Sequence, residues 1–402
     1  MSLEKSRRNF LKTSVAGLAG VSASPLVFGR TLATKQEEKR KEVAYRTLGR
    51  TGIKVSVVSL GVMNADNPQL VRAALEGGIN HLDTAHGYQR GRNEEMLGQV
   101  LQDYKRDTYT IATKVVGEAM DRRTGLFDPE KTTAEAFLEK LDISLQRLKL
   151  DQVDILYNHA LSAREAVLFE PLLKALEKAK KEGKTRFIGV STHRNEPEVI
   201  RAMIESGVYD VVLTAYNFRQ EHLAEMNQAI KEAAAAGLGV VAMKTQAGVF
   251  WDKEKQRPIN MAAALKWSLQ NPDVHMAIPG MTTFDQLELD LGVMADLKMT
   301  PGEIQDLQED NELAGLYCQQ CDACLPQCPR HLAVPELMQG FMYAYGYRNL
   351  EAALDLVEAN PGAARACADC ESCRVSCRQG FKVRERILDV SRLAGFPREM
   401  LT

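Results

Sequence analysis

All eight cysteines of this 402-residue chain fall between Cys318 and Cys377, in two runs of one pattern. The first is Cys318-x2-Cys321-x2-Cys324-x3-Cys328-Pro329 and the second is Cys367-x2-Cys370-x2-Cys373-x3-Cys377. Thiolates spaced by two residues can wrap one face of an iron–sulfur cubane, while the fourth, three residues on, reaches the other cluster of a pair. That rule gives one [4Fe-4S] cluster to Cys318, Cys321, Cys324 and Cys377, and the other to Cys367, Cys370, Cys373 and Cys328. Four-cysteine zinc sites also use CxxC pairs, but the longer run repeated with no cysteine left over points to iron–sulfur. A disulfide framework would spread cysteines through a small loop-rich domain, whereas here everything before Cys318 has none. The second run carries Arg378 in place of Pro329, a change that alters the loop without removing a ligand.

Four further residues could do acid–base chemistry: Asp83 and Tyr88 in Leu82-Asp83-Thr84-Ala85-His86-Gly87-Tyr88, Lys114 in Ala112-Thr113-Lys114, and His159 closing Tyr157-Asn158-His159. A phenol is a poor acid at neutral pH, and a neighbouring ammonium favours its ionised form, so Lys114 is expected to lower the Tyr88 pKa. Asp83 would hold the ammonium, and a neutral His159 would orient a carbonyl beside the Tyr88 hydroxyl. Taken singly, such residues have structural uses: a strand-end Asp caps helices, a rim Lys is solvated, a lone His is hydrogen-bonded. Their joint occurrence carries the reading.

The elements that must position them alternate. Short apolar runs at 55–62, 79–85, 109–115, 153–159, 185–192, 211–217, 239–244 and 275–280 predict strands. Amphipathic stretches at 68–76, 93–104, 133–148, 170–182, 196–206, 222–235, 259–270 and 284–297 predict the intervening helices. Eight strand–helix units over residues 43–300 predict an α/β fold of the (β/α)8 TIM-barrel kind. A doubly wound sheet would need fewer strands and an early glycine-rich phosphate turn, and neither GxGxxG nor a Walker sequence is present. The turn-rich stretch 46–55 predicts a small hairpin on the barrel floor. Chemistry in such a barrel sits at the C-terminal ends of the strands, where Asp83, Tyr88, Lys114 and His159 all fall. Residues 301–402 form the dicluster domain, mainly helical, with helices expected at 334–345 and 349–359.

Those four residues, with Asn93-Glu94-Glu95-Met96-Leu97-Gly98, Ile188-Gly189-Val190-Ser191 and Ile278-Pro279-Gly280, make residues 43–300 resemble an aldo-keto reductase. The tail resembles a helical dicluster ferredoxin. The first resemblance implies hydride transfer between NAD or NADP and a small carbonyl or alcohol substrate, with Tyr88 delivering the proton. It also implies cofactor contacts from Ser191, Thr192, Lys244, Gly280, Thr282 and Gln286. The sequence departs from the pattern in places. Thr192 stands where the family has Asn, and Leu213 where it has Gln, which removes two amides from the nicotinamide site. After the last strand, residues 281–290 hold Asp285, Glu288 and Asp290 and no cation for a 2'-phosphate. The loop Gln246-Ala247-Gly248-Val249-Phe250-Trp251-Asp252-Lys253 carries aromatic bulk that could close over substrate or pack on the next domain.

The N-terminus reads Ser6-Arg7-Arg8-Asn9-Phe10-Leu11-Lys12 before a mildly apolar stretch rich in Ala and Gly. Residues 1–33 resemble a twin-arginine export signal, followed by a charged linker at 34–42. A twin-arginine route carries folded proteins, which suits a chain whose clusters are inserted in the cytoplasm. The expected location is therefore periplasmic or exported, with membrane contact only if the signal stays uncleaved. Fifty-one basic against 53 acidic residues give a formal charge of -2, so nothing pulls the chain as a whole towards nucleic acid. Two readings follow. One is an exported oxidoreductase that exchanges electrons with an external redox protein; the other is an electron-transfer or assembly subunit whose inactive barrel serves as a scaffold.

Overall fold

The computed structural model describes residues 43–247, 259–312, 317–370 and 373–401. Residues 1–33, expected to be an export signal, the expected linker 34–42 and the aromatic part of the 246–253 loop lie outside the described residues. The chain opens on an antiparallel hairpin, β1 (Tyr45–Thr47) with β2 (Lys54–Ser56), in which Arg46 faces Val55. Gly49 and Gly52 both adopt positive φ in its turn. A Cβ on Gly49 would lie 2.4 Å from the Gly239 nitrogen, so only glycine lets this turn seat against the barrel floor.

Eight parallel strands follow: β3 (Leu60–Gly61), β4 (His81–Asp83), β5 (Thr110–Val115), β6 (Val153–Asn158), β7 (Thr185–Thr192), β8 (Val211–Ala215), β9 (Gly239–Met243) and β10 (Met276–Ala277). Each pairs with the next, and parallel bridges Val58–Ala277 and Gly61–Gly280 join the last to the first, closing the barrel. The first expected strand, 55–62, divides between the hairpin and β3. Alternation sorts the side chains. Ala112, Ile155, Tyr157, Val211, Leu213, Val241 and Met276 fill the interior above Leu48, Ile53 and Val55 of the floor.

The outer ring comprises α1 (Pro68–Glu76), α2 (Arg92–Val100), α3 (Ala134–Leu148), α4 (Glu170–Lys181), α5 (Glu196–Ser206), α6 (Leu223–Ala235), α7 (Met261–Gln270) and α8 (Phe284–Ala295). Helix α3 shows the local logic. The Thr133 hydroxyl accepts from the Ala136 N–H to start it, Phe137, Leu138, Leu141, Leu145 and Leu148 form its buried stripe, and Lys149 ends it in the left-handed region.

A ninth helix, α9 (Pro301–Glu312), packs on the barrel: Leu307 is buried with Ile259, Ala263 and Ala264, and Lys266 pairs with Glu303 at 2.9 Å. The cysteine-bearing region then forms α10 (Val334–Tyr345), α11 (Leu350–Glu358), α12 (Ala363–Ala368) and α13 (Val383–Val390). Val334, Leu337, Met338, Val383 and Ile387 build its small core with Cys328 and Cys367. This region lies across the barrel mouth. Asn349 donates to Asn64 after β3 (2.8 Å), Arg92 after β4 pairs with Glu351 (2.7 Å), and Arg122 after β5 with Glu336 (3.1 Å). Arg194 after β7 pairs with Asp322 (2.9 Å), and Lys244 after β9 donates to Gln320 (3.0 Å). Every barrel partner lies in the segment that leaves the C-terminal end of a strand, on a loop or, for Arg92, at the first turn of a helix.

Gly189, mid-β7, shows how tight the barrel is: a Cβ there would lie 2.2 Å from the Val211 carbonyl oxygen and 2.7 Å from the Tyr157 ring. Gly189→Ala is expected to destabilise the protein by about 1–3 kcal/mol through overpacking, read as a lower urea midpoint. An unchanged midpoint would refute the close approach.

Candidate functional site

The acid–base residues meet at the mouth. Asp83 ends β4 and Lys114 lies one residue before the end of β5, each only 2% exposed. The Lys114 ammonium donates to the Asp83 carboxylate, to the Thr84 carbonyl at 2.8 Å and to the Tyr88 hydroxyl oxygen at 3.3 Å. An ammonium has three protons, and these three acceptors use them all. With its oxygen accepting from Lys114, the Tyr88 phenol keeps its own proton free to donate elsewhere. His159 stands edge-on to Tyr88, with ring centroids 6.0 Å apart and an interplanar angle of 78°.

The backbone around Tyr88 is unusual. Gln89, Arg90 and Gly91 are successive positive-φ residues, at 49°, 56° and 93°. Two non-glycine residues in that region store strain, which neighbours must hold in place. Gln89 donates to the Met63 carbonyl at 3.2 Å, and Arg90 pairs with Glu351 at 3.4 Å. Behind the turn, Asn93 accepts from the Thr84 hydroxyl (2.6 Å) and donates to the Val62 carbonyl (2.8 Å), and buried Glu94 accepts from Thr113 (2.6 Å). The Asn93-Glu94 segment thus ties α2 to β3, β4 and β5.

The electrostatics bear out one expectation and correct another. Burial, then the Lys114 charge, lowers the His159 pKa to about 3, so its imidazole is neutral, as expected. Tyr88 departs from expectation: burial, and next the Asp83 carboxylate, push its phenol up rather than down. The physical reason is first that a buried phenolate loses its solvation, and second that Asp83, paired with Lys114, sets its own negative charge against the lysine's field. Lys114 acts here chiefly by hydrogen-bond direction. Burial also raises the Asp83 carboxyl and lowers the Lys114 ammonium, with their mutual attraction opposing both shifts.

The helical region over the mouth adds further polar groups. Tyr343 and Tyr347, on and just after α10, lie close enough to Tyr88 for the three phenols to be electrostatically coupled; burial raises both, Tyr347 to about 12. A hydrogen-bond chain runs from Lys244 to Gln320 (3.0 Å), from Gln320 to Gln339 (2.8 Å) and from Gln339 to the Tyr343 oxygen (2.5 Å). Nothing in their spacing marks these glutamines and tyrosines. Their role comes from the docking of one domain on the other.

The six residues expected at a cofactor separate into three places. Ser191 and Thr192 are buried at the end of β7, where Ser191 accepts from the Ala160 N–H (2.8 Å) and Thr192 donates to the Arg194 carbonyl (2.9 Å). Lys244 lines a narrow cleft under the roof with His193, Glu196, Asn217, Gln220, Cys318 and Tyr347. Gly280 closes the barrel seam, while Thr282 and Gln286 bond each other at the surface, 2.7 Å between the Thr282 nitrogen and the Gln286 oxygen. The cleft retains a buried polar atom with no partner, His193 Nδ1, which suits a bound polar group. Leu213 lies in the apolar interior. Of the three acids after β10, Asp285 and Glu288 are exposed, but Asp290 is buried and its carboxyl is pushed up to about 8 by burial. It therefore does not present the negative charge expected of it at neutral pH.

The eight cysteines are all free, and their mutual electrostatic couplings link Cys318 with Cys321, Cys324 and Cys377, and Cys367 with Cys328, Cys370 and Cys373. Burial raises Cys318 to about 11, with Cys321 and Cys377 adding to the shift, and Cys324 to about 12, with Cys318 and Cys321 adding. Burial raises Cys367 to about 11, with Cys328, Cys370 and Cys373 adding. Cys328, Cys367, Cys370 and Cys373 line one cavity walled by Val334, Val383 and Ile387. Among the described residues no three His, Cys, Asp or Glu side chains meet at the spacing of a single-ion site. Two sets of four thiols, one of them lining an apolar cavity, fit cubanes, and metal binding would deprotonate thiols that burial otherwise keeps neutral.

Comparison with known proteins agrees with this division. A model of the aldo/keto reductase family matches residues 59–263, and a model of a 4Fe-4S dicluster domain matches residues 317–382. The chain is 28% identical over 310 residues to the L-galactose dehydrogenase of Arabidopsis thaliana, covering 67% of this chain and 93% of that one. It is 30% identical over 193 residues to the NADH-specific methylglyoxal reductase of Escherichia coli, covering 42% of this chain and 58% of that one. In fold it is similar to the holo form of an aldo-keto reductase from Bacillus halodurans, with TM-score 0.55 and 24% identity over 67% of this chain and 96% of that one. An aldo-keto reductase from Klebsiella pneumoniae in complex with NADPH gives TM-score 0.53 and 22% identity over 67% of this chain and 95% of that one.

Four histidines with lowered pKa values make a testable pH signature. Burial lowers His81 and His86 to about 4, His159 to about 3 and His193 well below its ordinary value. Each is neutral in the fold but takes a proton on unfolding below about pH 6.5. Their contribution is intact above that value and is lost as pH falls towards 4. Asp290 acts in the opposite sense, favouring the fold as pH falls through about 8. The thermal midpoint is expected to drop between pH 6.5 and 5, and less steeply in His81→Gln, which removes one such ring. An equal slope in both proteins would refute the assignment.

Proposed function

The chain belongs to the aldo/keto reductase family and carries a 4Fe-4S dicluster domain; from that premise we propose an exported oxidoreductase coupling carbonyl or alcohol chemistry at the barrel mouth to electron transfer through two [4Fe-4S] clusters. The observation that carries this reading is the Lys114 ammonium, shared among Asp83, Thr84 and Tyr88 beneath the cluster-bearing roof. A barrel kept only as a scaffold has no need of that arrangement.

Tyr88 is the proton donor to a carbonyl oxygen and, in reverse, the acceptor from an alcohol. Lys114 fixes one lone pair of the phenol oxygen so that its proton faces substrate, Asp83 holds Lys114, and neutral His159 donates a second hydrogen bond to the same substrate oxygen. NAD or NADP, when bound, supplies or accepts hydride at the substrate carbon. Ser191, Thr192, His193 and Lys244 would hold its reacting end; Leu213 withdraws one amide from that task. No Lys or Arg lies in 280–290, which favours NAD. The clusters, when bound, exchange single electrons with a redox protein outside this chain.

Relatives named for L-galactose and methylglyoxal point to a small polar substrate. The mouth agrees, since Tyr88, His159, Tyr343 and Tyr347 offer hydrogen bonds to hydroxyl groups. Export through the twin-arginine route rests on Arg7-Arg8 and the stretch that follows. Among the described residues no helix is long and apolar enough to cross a membrane.

Two outcomes test the proposal. Anaerobically prepared protein should contain about eight iron and eight sulfide per chain, and Tyr88→Phe should keep them. A panel of small sugars, alcohols and aldehydes should contain a compound that exchanges electrons with the clusters, and Tyr88→Phe should slow that exchange by about 10²–10⁴. Full-rate exchange in the variant would sink the enzyme reading. Separately, Arg7→Lys with Arg8→Lys should leave the chain in the cytoplasmic fraction, and unchanged export would exclude the twin-arginine route.

A further inference from the structure

The two cysteine sets stand differently towards the barrel. The Cys318, Cys321, Cys324 and Cys377 set is stitched to it. Gln320 and Asp322, between its first three cysteines, bind Lys244 (3.0 Å) and Arg194 (2.9 Å). Arg378 and Gln379, beside Cys377, reach Glu221 on the loop after β8 at 3.3 and 2.7 Å. Cys318 itself lines the cleft that holds His193, Asn217 and Lys244.

The Cys328, Cys367, Cys370 and Cys373 set has no barrel residue in its cavity, whose lining comes entirely from residues 328–387. Cys373 is exposed, as are Arg330 and Arg374, which line the same cavity. Among the described residues neither arginine forms an ion pair. Arg384, the third cation of the lining, is tied to the Cys367 and Ala368 carbonyls at 2.9 and 3.2 Å. Among the described residues, Asp369 pairs with Arg365 at 3.7 Å and Glu385 with Lys382 at 3.3 Å.

We infer that the Cys318 set is the inner station and the Cys328 set the outer one, and that the face around Cys373, Arg330 and Arg374 docks an acidic one-electron carrier protein. This rests on the electron-transfer reading above. Two charged groups at the edge of an exposed redox site steer a partner of opposite sign and raise its encounter rate, an effect that salt screens. Exchange across this face moves one electron from the reduced outer cluster to the oxidised carrier; no bond forms and no proton is transferred. The competing role for the arginines is to offset the negative charge of the thiolate-bound cluster, and the experiment separates the two.

Anaerobic full-length holoprotein, reduced with dithionite, is mixed in a stopped-flow cell with an oxidised acidic flavodoxin or with a basic cytochrome c. For the wild type, the flavodoxin rate should fall as salt rises. Arg330→Glu with Arg374→Glu should lower that rate at least tenfold at low salt, invert its salt dependence and raise the cytochrome c rate. Iron content and the midpoint potentials from an EPR-monitored titration should stay unchanged. Unaltered flavodoxin kinetics with intact clusters would overturn the docking face, as would a slower rate that keeps its salt dependence and follows a shifted potential. If the reversal costs iron, Arg330→Gln with Arg374→Gln replaces it, and there the flavodoxin rate should fall at low salt and lose its salt dependence. Because dithionite replaces substrate, these rates do not depend on barrel turnover, and failure of the enzyme reading shows separately in the Tyr88→Phe comparison.

Discussion

The site is organised by a single buried ammonium with three obligations. Lys114 sits almost wholly out of water, and an unpaired charge there would be costly or would lose its proton. Asp83, the Thr84 carbonyl and Tyr88 discharge its hydrogen bonds, and each comes from the β4 strand or the turn after it. The lysine therefore registers β5 against β4 and fixes the phenol oxygen as an acceptor. Direction, more than a lowered pKa, is what this arrangement contributes, because burial first, and the Asp83 charge second, hold the phenol's pKa up.

That arrangement continues into the second domain. The Tyr88 turn contains two non-glycine residues at positive φ, and one of them, Arg90, pairs with Glu351 at the start of α11. Individual exposed ion pairs contribute little to stability. Spread over Asn64, Arg92, Arg122, Arg194 and Lys244, however, the contacts touch loops after five of the eight strands and define one orientation. The cysteine-bearing helices thus cover the barrel mouth, and Tyr343 and Tyr347 come within electrostatic reach of Tyr88.

Much of this was legible in the sequence, because periodic burial and ligand spacing are local signals. The eight strand–helix units follow from apolar alternation, and the two cysteine runs show how the thiols divide. Tyr88, Lys114, Asp83 and His159 could be found because barrel geometry places function at strand ends. Three things were not legible. The direction of the Tyr88 shift depends on the balance between burial and an ion pair, which spacing does not encode. The burial of Asp290 depends on which face α8 turns inward. Tyr343, Gln339 and Gln320 gain their role only when the last hundred residues fold back over the mouth, and a sequence read in order gives no sign of that contact.

The same docking explains why the two ends of the site belong together. Lys244 leaves the end of β9 and donates to Gln320, two residues past Cys318, so the inner thiol set and the barrel rim share one polar cleft. The chain from Gln320 through Gln339 ends on Tyr343, a phenol within the electrostatic reach of Tyr88. A change of charge at the inner thiols is consequently felt by Lys244, whose ammonium burial lowers to about 8 and which the Cys318 thiolate would help keep protonated. Proton-handling groups of the barrel and electron-handling groups of the tail thus lie in one low-dielectric volume, where a charge placed on either is poorly screened from the other.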